Sequence, residues 1–212
     1  MRLVLLGHPG AGKGTQAENI SKRFNIPHIS TGNILRDEIK KNTYLGRKVE
    51  NLVKKGNLVS DEIIIELIKN EISKYKSSSG FVMDGFPRNL RQAKMFQNML
   101  DLLDLKLDKV VNIFVEKDEI IRRLSSRMVC SSCNSVYSIG DLENMPDMEC
   151  LICGGKLCKR KDDEENIIEK RLEVYETETR PLINYYSKQN LLIDIDGHGS
   201  EDEVTERVLS KL

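Results

Sequence analysis

The sequence predicts an α/β fold: a parallel sheet of five strands flanked by helices, interrupted by one helical and one cysteine-bearing excursion. Three observations lead there. Short apolar runs (Leu3 to Leu6, Phe81 to Met83, Val110 to Val115, Leu191 to Ile193) and one short extended piece (Ile26 to Ser30) alternate with segments of helical periodicity. A glycine-rich stretch, Gly7-His8-Pro9-Gly10-Ala11-Gly12-Lys13-Gly14-Thr15, ties the first run to a helical segment. Two Cys-x-x-Cys pairs sit in the second half of the chain.

In the glycine-rich stretch, small residues let the backbone wrap closely around a phosphate, and the start of the following helix adds partial positive charge. Lys13 supplies a mobile point charge. The pattern G-x-x-x-x-G-K-[ST] is met through Lys13, with Gly14 where a hydroxyl is expected and Thr15 one place later. A plain glycine turn is the alternative. The preceding strand and the helix after it, with Ala17, Ile20 and Phe24 at helical spacing, favour a site for a nucleoside polyphosphate.

Past the extended piece ending at Ser30, Thr31 is a cap for a helix whose Ile34, Leu35 and Ile39 form a buried stripe, with Arg36 and Asp37 facing elsewhere. On composition alone Arg36 reads as a solvated charge. A second helix with Leu45, Val49, Leu52 and Val53 stops at Gly56. Ser60-Asp61-Glu62 opens a third with a capping hydroxyl and two acids near the positive helix end. Its apolar face runs over Ile63, Ile64, Leu67, Ile68, Ile72 and Tyr75 until Ser77-Ser78-Ser79-Gly80 breaks it.

The strand Phe81 to Met83 delivers Asp84 at its C-terminal end, where ligands collect in an open parallel sheet. There Asp84 can hold Mg2+ through its waters, although a loop-capping aspartate is the plainer reading. Gly85-Phe86-Pro87-Arg88 makes a turn that sets a phosphate-clamping guanidinium beside that carboxylate. A helix from about Asn89 carries Leu90, Ala93, Phe96 and Leu100, with Gln92 on its first exposed turn.

A helix runs from Asp118 toward Met128 with Ile120, Ile121 and Leu124 inward. Arg122, Arg123 and Arg127 near its end have an ordinary dipole explanation. Cys130 and Cys133 are then separated by sixteen residues from Cys150 and Cys153, the spacing of a four-thiolate zinc site. Asn134 and Gly154 follow the pairs and tolerate the left-handed backbone that turns N–H groups toward sulfur. Residues 131–157 are poor in apolar side chains, so Zn2+, worth about 10 to 16 kcal/mol in small sites, would replace the missing core. Cys158 is the odd thiol; its substitution for one of the four is a minor alternative.

Lys159 to Asp163 leads into a long helix with Ile167, Ile168, Leu172 and Tyr175, which Pro181 interrupts or kinks beyond Arg180. Arg160 and Arg171 are far enough apart to approach one anion from two sides, although alternating charge around Arg160 also fits a solvated face. Asp196-Gly197 is a turn, and Val204, Val208 and Leu209 stripe a last helix.

Lys plus Arg equals Asp plus Glu at 33 each, which leaves no bulk electrostatic reason to coat nucleic acid or an anionic membrane. No apolar run reaches a signal-peptide core or a bilayer span. A cytoplasmic protein is expected, with its cysteines as metal ligands or bystanders rather than disulfides.

Gly7 to Thr15, Ser30-Thr31-Gly32 with Arg36, Asp84 to Arg88 with Gln92, and Arg160 to Asp163 with Lys170-Arg171-Leu172 closely resemble the adenylate kinase family along essentially the whole chain. The four-cysteine insert looks like the zinc-bearing lid of many bacterial members. The resemblance implies a P-loop core (1–29, 60–126 and 164–212), an NMP-binding domain (30–59) and a lid (127–163). It implies reversible Mg2+-dependent transfer of the γ-phosphoryl of ATP to AMP, giving two ADP for adenine nucleotide homeostasis, by a monomer. ATP would meet Gly10, Ala11, Gly12, Lys13, Gly14, Thr15, Arg123 and Arg127, with Val136, Tyr137 and Gly199 about its base. AMP would meet Thr31, Arg36, Asn57, Leu58, Val59, Gly85, Phe86, Pro87, Arg88 and Gln92, with Gln92 reading the adenine edge. Arg160 and Arg171 would converge on phosphates, and Lys13, Arg88, Arg123, Arg160, Arg171 and Asp84 would serve the transfer.

The chain departs from the family pattern at His8, at Asn33 where aspartate is frequent, in lacking an Asn-Pro-Pro sequence after Tyr137, and at Gly199. A kinase for UMP or CMP is one rival reading; a non-enzymatic ATP-binding or zinc-ribbon protein is another. No Asn-Lys-x-Asp sequence supports a GTPase.

Overall fold

The computed structural model describes residues 1–75, 80–138 and 148–212. The helix break expected at Ser77 to Ser79 lies outside them. Five strands, β1 (Arg2–Leu6), β2 (His28–Ser30), β3 (Phe81–Asp84), β4 (Lys109–Phe114) and a last strand, Leu192–Asp196, form one sheet. With the last strand placed fifth, its order is β2-β3-β1-β4-fifth, and every pairing is parallel. Along β1, Val4 and Leu6 face one apolar cluster while Leu3 and Leu5 face another, so helices must cover both sides.

One face is covered by α2 (Thr31–Lys40), α3 (Tyr44–Lys54), α4 (Asp61–Lys74), α5 (Leu90–Leu102) and, late in the chain, Pro181–Ser187. The other is covered by α1 (Lys13–Phe24), α6 (Lys117–Ser125), a helix at Glu165–Val174 and the C-terminal helix Glu201–Leu209. The expected stripes largely hold, with Ala17, Ile20, Leu35, Val49, Ile64, Ile68, Ile72, Val204 and Val208 buried. Phe24, Leu52, Tyr75 and Leu90 are exceptions, more than a third exposed; each sits at the end of its helix, where neighbouring elements no longer cover it.

Several local expectations are corrected. Ser30 rather than Thr31 caps α2: it keeps extended φ/ψ, and its hydroxyl accepts from the Asn33 N–H, while Thr31 is already helical. Ser60 holds the cap position of α4 without using its exposed hydroxyl. Gln92 is buried, not exposed, because the Asn89 side chain caps α5 and turns that residue inward. The last strand extends through Asp196, which the sequence placed in a turn.

The helix expected to reach Met128 ends at Ser125. Met128 belongs to β5 (Arg127–Cys130), which pairs antiparallel with β6 (Val136–Ser138) and β7 (Leu157–Cys158). Two flanking partners outweigh the helical preference of this short segment. This second sheet closes over a small cluster of Met128, Cys130, Cys150 and Leu157.

Renumbered in chain order, the remaining elements are α7 (Glu165–Val174), α8 (Pro181–Ser187), β8 (Leu192–Asp196) and α9 (Glu201–Leu209). Between α7 and α8, residues Tyr175–Thr179 make a π-helical turn in which the Arg180 N–H donates to the Tyr175 carbonyl at 2.8 Å. Pro181, lacking an N–H and crowding the carbonyl four residues back, accounts for this wider turn, as its position in the sequence suggests.

Candidate active site

A cleft of about 620 Å³ opens beyond the C-terminal ends of β1 and β3. Its floor is the loop from Pro9 to Thr15, with the amino end of α1 aimed into it. Gly12 caps that helix at φ +94°, a conformation L side chains rarely adopt. The Lys13 ammonium folds back and donates to the carbonyl oxygens of Gly7 (2.8 Å) and His8 (2.7 Å). Burial pushes its pKa down to about 8 against the opposing pull of Asp84.

Asp84 lies across the floor. Burial alone would raise its pKa, but nearby His28, Lys13 and Arg88 outweigh that and hold the carboxyl at about 2. Ser30 Oγ donates to Asp84 Oδ2 at 3.3 Å, and His28 Nε2 stands 3.8 Å from the same oxygen, too far for a hydrogen bond. Gly85 follows at φ +77°; a Cβ there would lie 2.8 Å from the Thr31 hydroxyl.

The walls are cationic. Arg88 Nε donates to the Gly85 carbonyl at 2.8 Å. Arg127 and Arg171 share the Asp163 carboxylate, at 2.7 and 2.8 Å, and Arg171 also bonds the Asp162 carbonyl. Arg123 donates to Glu119 at 2.7 Å and to the Gly197 carbonyl at 3.0 Å. Arg36 bonds Asn33 through one terminal nitrogen. Among the described residues, the buried Nε atoms of Arg36 and Arg160 have no partner, nor does His28 Nε2. Burial, with Arg36 and Arg127 nearby, lowers the Arg160 pKa to about 9. Guanidinium groups with unpartnered Nε atoms, crowded against one another, call for an anion.

Above the cleft, the Sγ atoms of Cys130, Cys133, Cys150 and Cys153 lie within 4.8 Å of one another, with Cys130 to Cys153 at 3.4 Å and Cys133 to Cys150 at 3.5 Å. A tetrahedral Zn2+ with bonds of about 2.3 Å needs sulfur edges of about 3.8 Å, so this donor set fits zinc. Backbone N–H groups of Ser132 and Cys133 point at Cys130 Sγ and, with that of Cys133 first, lower its pKa. The Tyr137 hydroxyl, 3.2 Å away, leads the groups that hold Cys150 down at about 6. Both favour thiolate. Asn134 and Gly154 have φ of +64° and +68°, as their positions after each pair suggest. Cys158 stands apart, its thiol directed at the Val129 carbonyl.

The cysteine knuckle also touches α2. Lys40 Nζ donates to the Ser131 carbonyl at 2.8 Å, and Asn134 Nδ2 donates to Asp37 Oδ1 at 3.3 Å. The cleft is thereby covered from both sides.

The family model for adenylate kinase matches residues 5–191 of this sequence. The chain belongs to the adenylate kinase family. It is similar to the adenylate kinase of Caldicellulosiruptor bescii, 47% identical over 212 residues that cover 100% of this chain and 99% of the relative. The adenylate kinase of Methanocella arvoryzae is 49% identical over 207 residues, 97% and 95% of the two chains. That of Acetivibrio thermocellus is 46% identical over 214 residues, 100% and 98% of the two chains.

Against the adenylate kinase pattern, the structure gathers Gly10 to Thr15, Arg36, Leu58, Asp84, Gly85, Pro87, Arg88, Arg123, Arg127, Val136, Tyr137, Arg160, Arg171 and Gly199 around the one cleft. Thr31, Asn57, Val59, Phe86 and Gln92 fall outside its lining. Val59 and Phe86 belong to the core, and the Thr31 hydroxyl is spent on the Gly85 carbonyl at 2.8 Å. Gln92 accepts from the Arg88 N–H and donates to Asp61, both at 2.8 Å, so reading a base edge requires its amide to let Asp61 go.

Sequence reasoning gave no role to His28 and Ser30, which flank Asp84, or to Asp162 and Asp163, which anchor the arginines. The first pair depends on the register Ser30 to Asp84 between β2 and β3, which no local spacing announces. The second was visible as two acids set between Arg160 and Arg171.

Proposed function

We propose that this enzyme transfers the γ-phosphoryl group of ATP to AMP, reversibly and with Mg2+, giving two ADP and keeping adenine nucleotides in balance. The observation that carries the reading is the pair of buried, unpartnered Nε atoms on Arg36 and Arg160, two arginines that line the cleft floored by the loop of Lys13. Two phosphorylated molecules meeting there would satisfy both.

In this reading Gly10 to Thr15 and Lys13 hold the ATP phosphates, Arg123 and Arg127 steady them, and Val136, Tyr137 and Gly199 border the base. Arg36, Arg88, the backbone at Asn57 to Val59 and the Gly85 to Arg88 turn orient AMP, with Thr31 and Gln92 behind them. Phosphoryl transfer passes through a loose transition state with charge on the equatorial oxygens, so alignment and cationic groups supply most of the acceleration. An AMP phosphate oxygen bonds to the γ-phosphorus as the bridging oxygen leaves with its electron pair on ADP. No protein nucleophile is required. Arg160 and Arg171 follow the moving charge from the lid side, and Lys13 follows it from the loop.

Asp84, held ionised by the cationic groups around it, suits a Mg2+ ion held through waters, which when bound would neutralise charge on the ATP phosphates. The four cysteines would hold a structural Zn2+ that stabilises the second sheet. Residues 30–59 and 127–163 act as covers that exclude water, a competing acceptor. Among the described residues no helix is long and apolar enough to cross a membrane. We read the protein as a cytoplasmic monomer without nucleic-acid partners.

A coupled assay tests the reading. ADP should form only with ATP, AMP and Mg2+ together, UMP or CMP should be poorer acceptors, and Lys13→Ala should lower turnover about a hundredfold or more. Equal rates with UMP would transfer the reading to another monophosphate.

A further inference from the structure

The π-helical turn at Tyr175–Thr179 reaches both halves of the cleft at once. Such turns are rare and recur at functional sites. Glu176 Oε1 lies 2.7 Å from Nε2 of His8, a residue of the phosphate loop 168 positions away in sequence. The His8 ring also stacks on Tyr175, with centroids 3.9 Å apart. Arg180 bonds the second Glu176 oxygen at 2.7 Å and so fixes the carboxylate. Three residues on, the Thr179 hydroxyl donates to the Arg88 carbonyl at 2.7 Å, across 91 positions.

What each bond holds is specific. The His8 carbonyl is one of the two acceptors for the Lys13 ammonium, so anchoring the His8 side chain fixes the peptide from which Lys13 is aimed. The Arg88 main chain is pinned on one side by Gln92, which accepts from its N–H, and on the other by Thr179, which donates to its carbonyl. That leaves the guanidinium a single origin. Thr179 stands at the edge of the cleft, whereas His8 and Glu176 lie outside its lining. A carboxylate can only accept, so His8 Nε2 carries the hydrogen, and burial, opposed by Glu176 itself, holds the imidazole below its ordinary pKa.

We infer that this turn braces the two substrate loops, with Glu176 a positioning residue for the ATP side through His8 and Thr179 a positioning residue for the AMP side through Arg88. The inference rests on the two-nucleotide reading above and adds a division of labour within one turn.

The test is steady-state kinetics with each nucleotide varied in turn, on the parent, Glu176→Ala, Glu176→Gln, Thr179→Val and Thr179→Ser. Loss of one hydrogen bond should raise the affected KM about three- to tenfold. Glu176→Ala should raise KM for ATP and leave KM for AMP in place, and Glu176→Gln, which keeps an acceptor, should recover most of it. Thr179→Val should do the reverse, with Thr179→Ser restoring the parent value. The inference is overturned if either variant raises both constants together, as general loosening would, or if neither moves. The parent's own activity separates the two claims: a parent that makes no ADP sinks the functional reading itself, whereas an active parent with unsplit constants sinks only the brace.

Discussion

Lys13 and His8 are joined by a hydrogen bond of 2.7 Å from the lysine ammonium to the histidine carbonyl, within the loop that floors the cleft. A phosphate entering that loop must draw the ammonium away from its own backbone.

This contact gives ATP binding a pH dependence. Burial holds Lys13 at about 8 in the free enzyme, and an adjacent polyphosphate raises it. Because the bound state has the higher pKa, the lysine's contribution to affinity is complete below about pH 8 and is lost as pH rises through the pKa of the complex. Between about pH 8 and pH 9, ATP binding should take up a proton. Calorimetry in buffers of different ionisation enthalpy measures it; Lys13→Met should abolish it, and buffer-independent heats would count against it.

Arg160 should set stability against activity. Its guanidinium is buried among Arg36 and Arg127 with an unpaired Nε, an arrangement that penalises the empty fold. Arg160→Met should raise the melting temperature of the ligand-free protein by about 2 to 4 °C. The same change should lower kcat/KM about a hundredfold or more. A variant that is both less stable and fully active would remove Arg160 from the proposed machinery.

How much of this was legible in the sequence depends on how local the cause is. The run Leu3 to Leu6 followed by glycines and Lys13 specified β1, its loop and α1, because each follows from neighbouring residues. Asn134 and Gly154 announced the turns of the cysteine knuckles for the same reason. Strands β5 to β7 were not foreseen: Arg127 to Cys130 is too short to outweigh the helix before it until partners arrive from residues 136–138 and 157–158. Thr31 and Ser30 are near-equal cap candidates, and only the strand pairing of Ser30 decides between them. Glu176 and Thr179 carry no local signal, since their partners, His8 and Arg88, lie 168 and 91 positions away.

Removing metal should dissolve the second sheet and spare the first. Among the described residues, the cluster beneath the second sheet contains little apolar surface beyond Met128, Leu157 and part of Tyr137, too little to hold three short strands. Purified protein should carry a single zinc per chain by mass spectrometry. Chelation, or Cys133→Ser, should accelerate hydrogen exchange across 127–163 and leave β1, β3 and β4 protected. Unchanged exchange in the metal-free protein would refute the structural role.

The contacts of Lys40 with Ser131 and of Asp37 with Asn134 tie α2 to the cysteine knuckle. If opening limits turnover, Lys40→Ala combined with Asp37→Ala should raise both kcat and KM, by about two- to fivefold. A turnover number insensitive both to this pair and to added viscosity would place the slow step elsewhere.

The most direct measurement is titration with two adenosines joined through a chain of phosphates, followed by calorimetry and by competition with ATP and AMP. One molecule per chain is expected, displaced by either nucleotide and weakened about tenfold or more by Arg36→Ala and by Arg160→Ala. Two molecules binding independently, or an affinity that ignores both arginines, would contradict a single cleft in which the nucleotides meet through their phosphates.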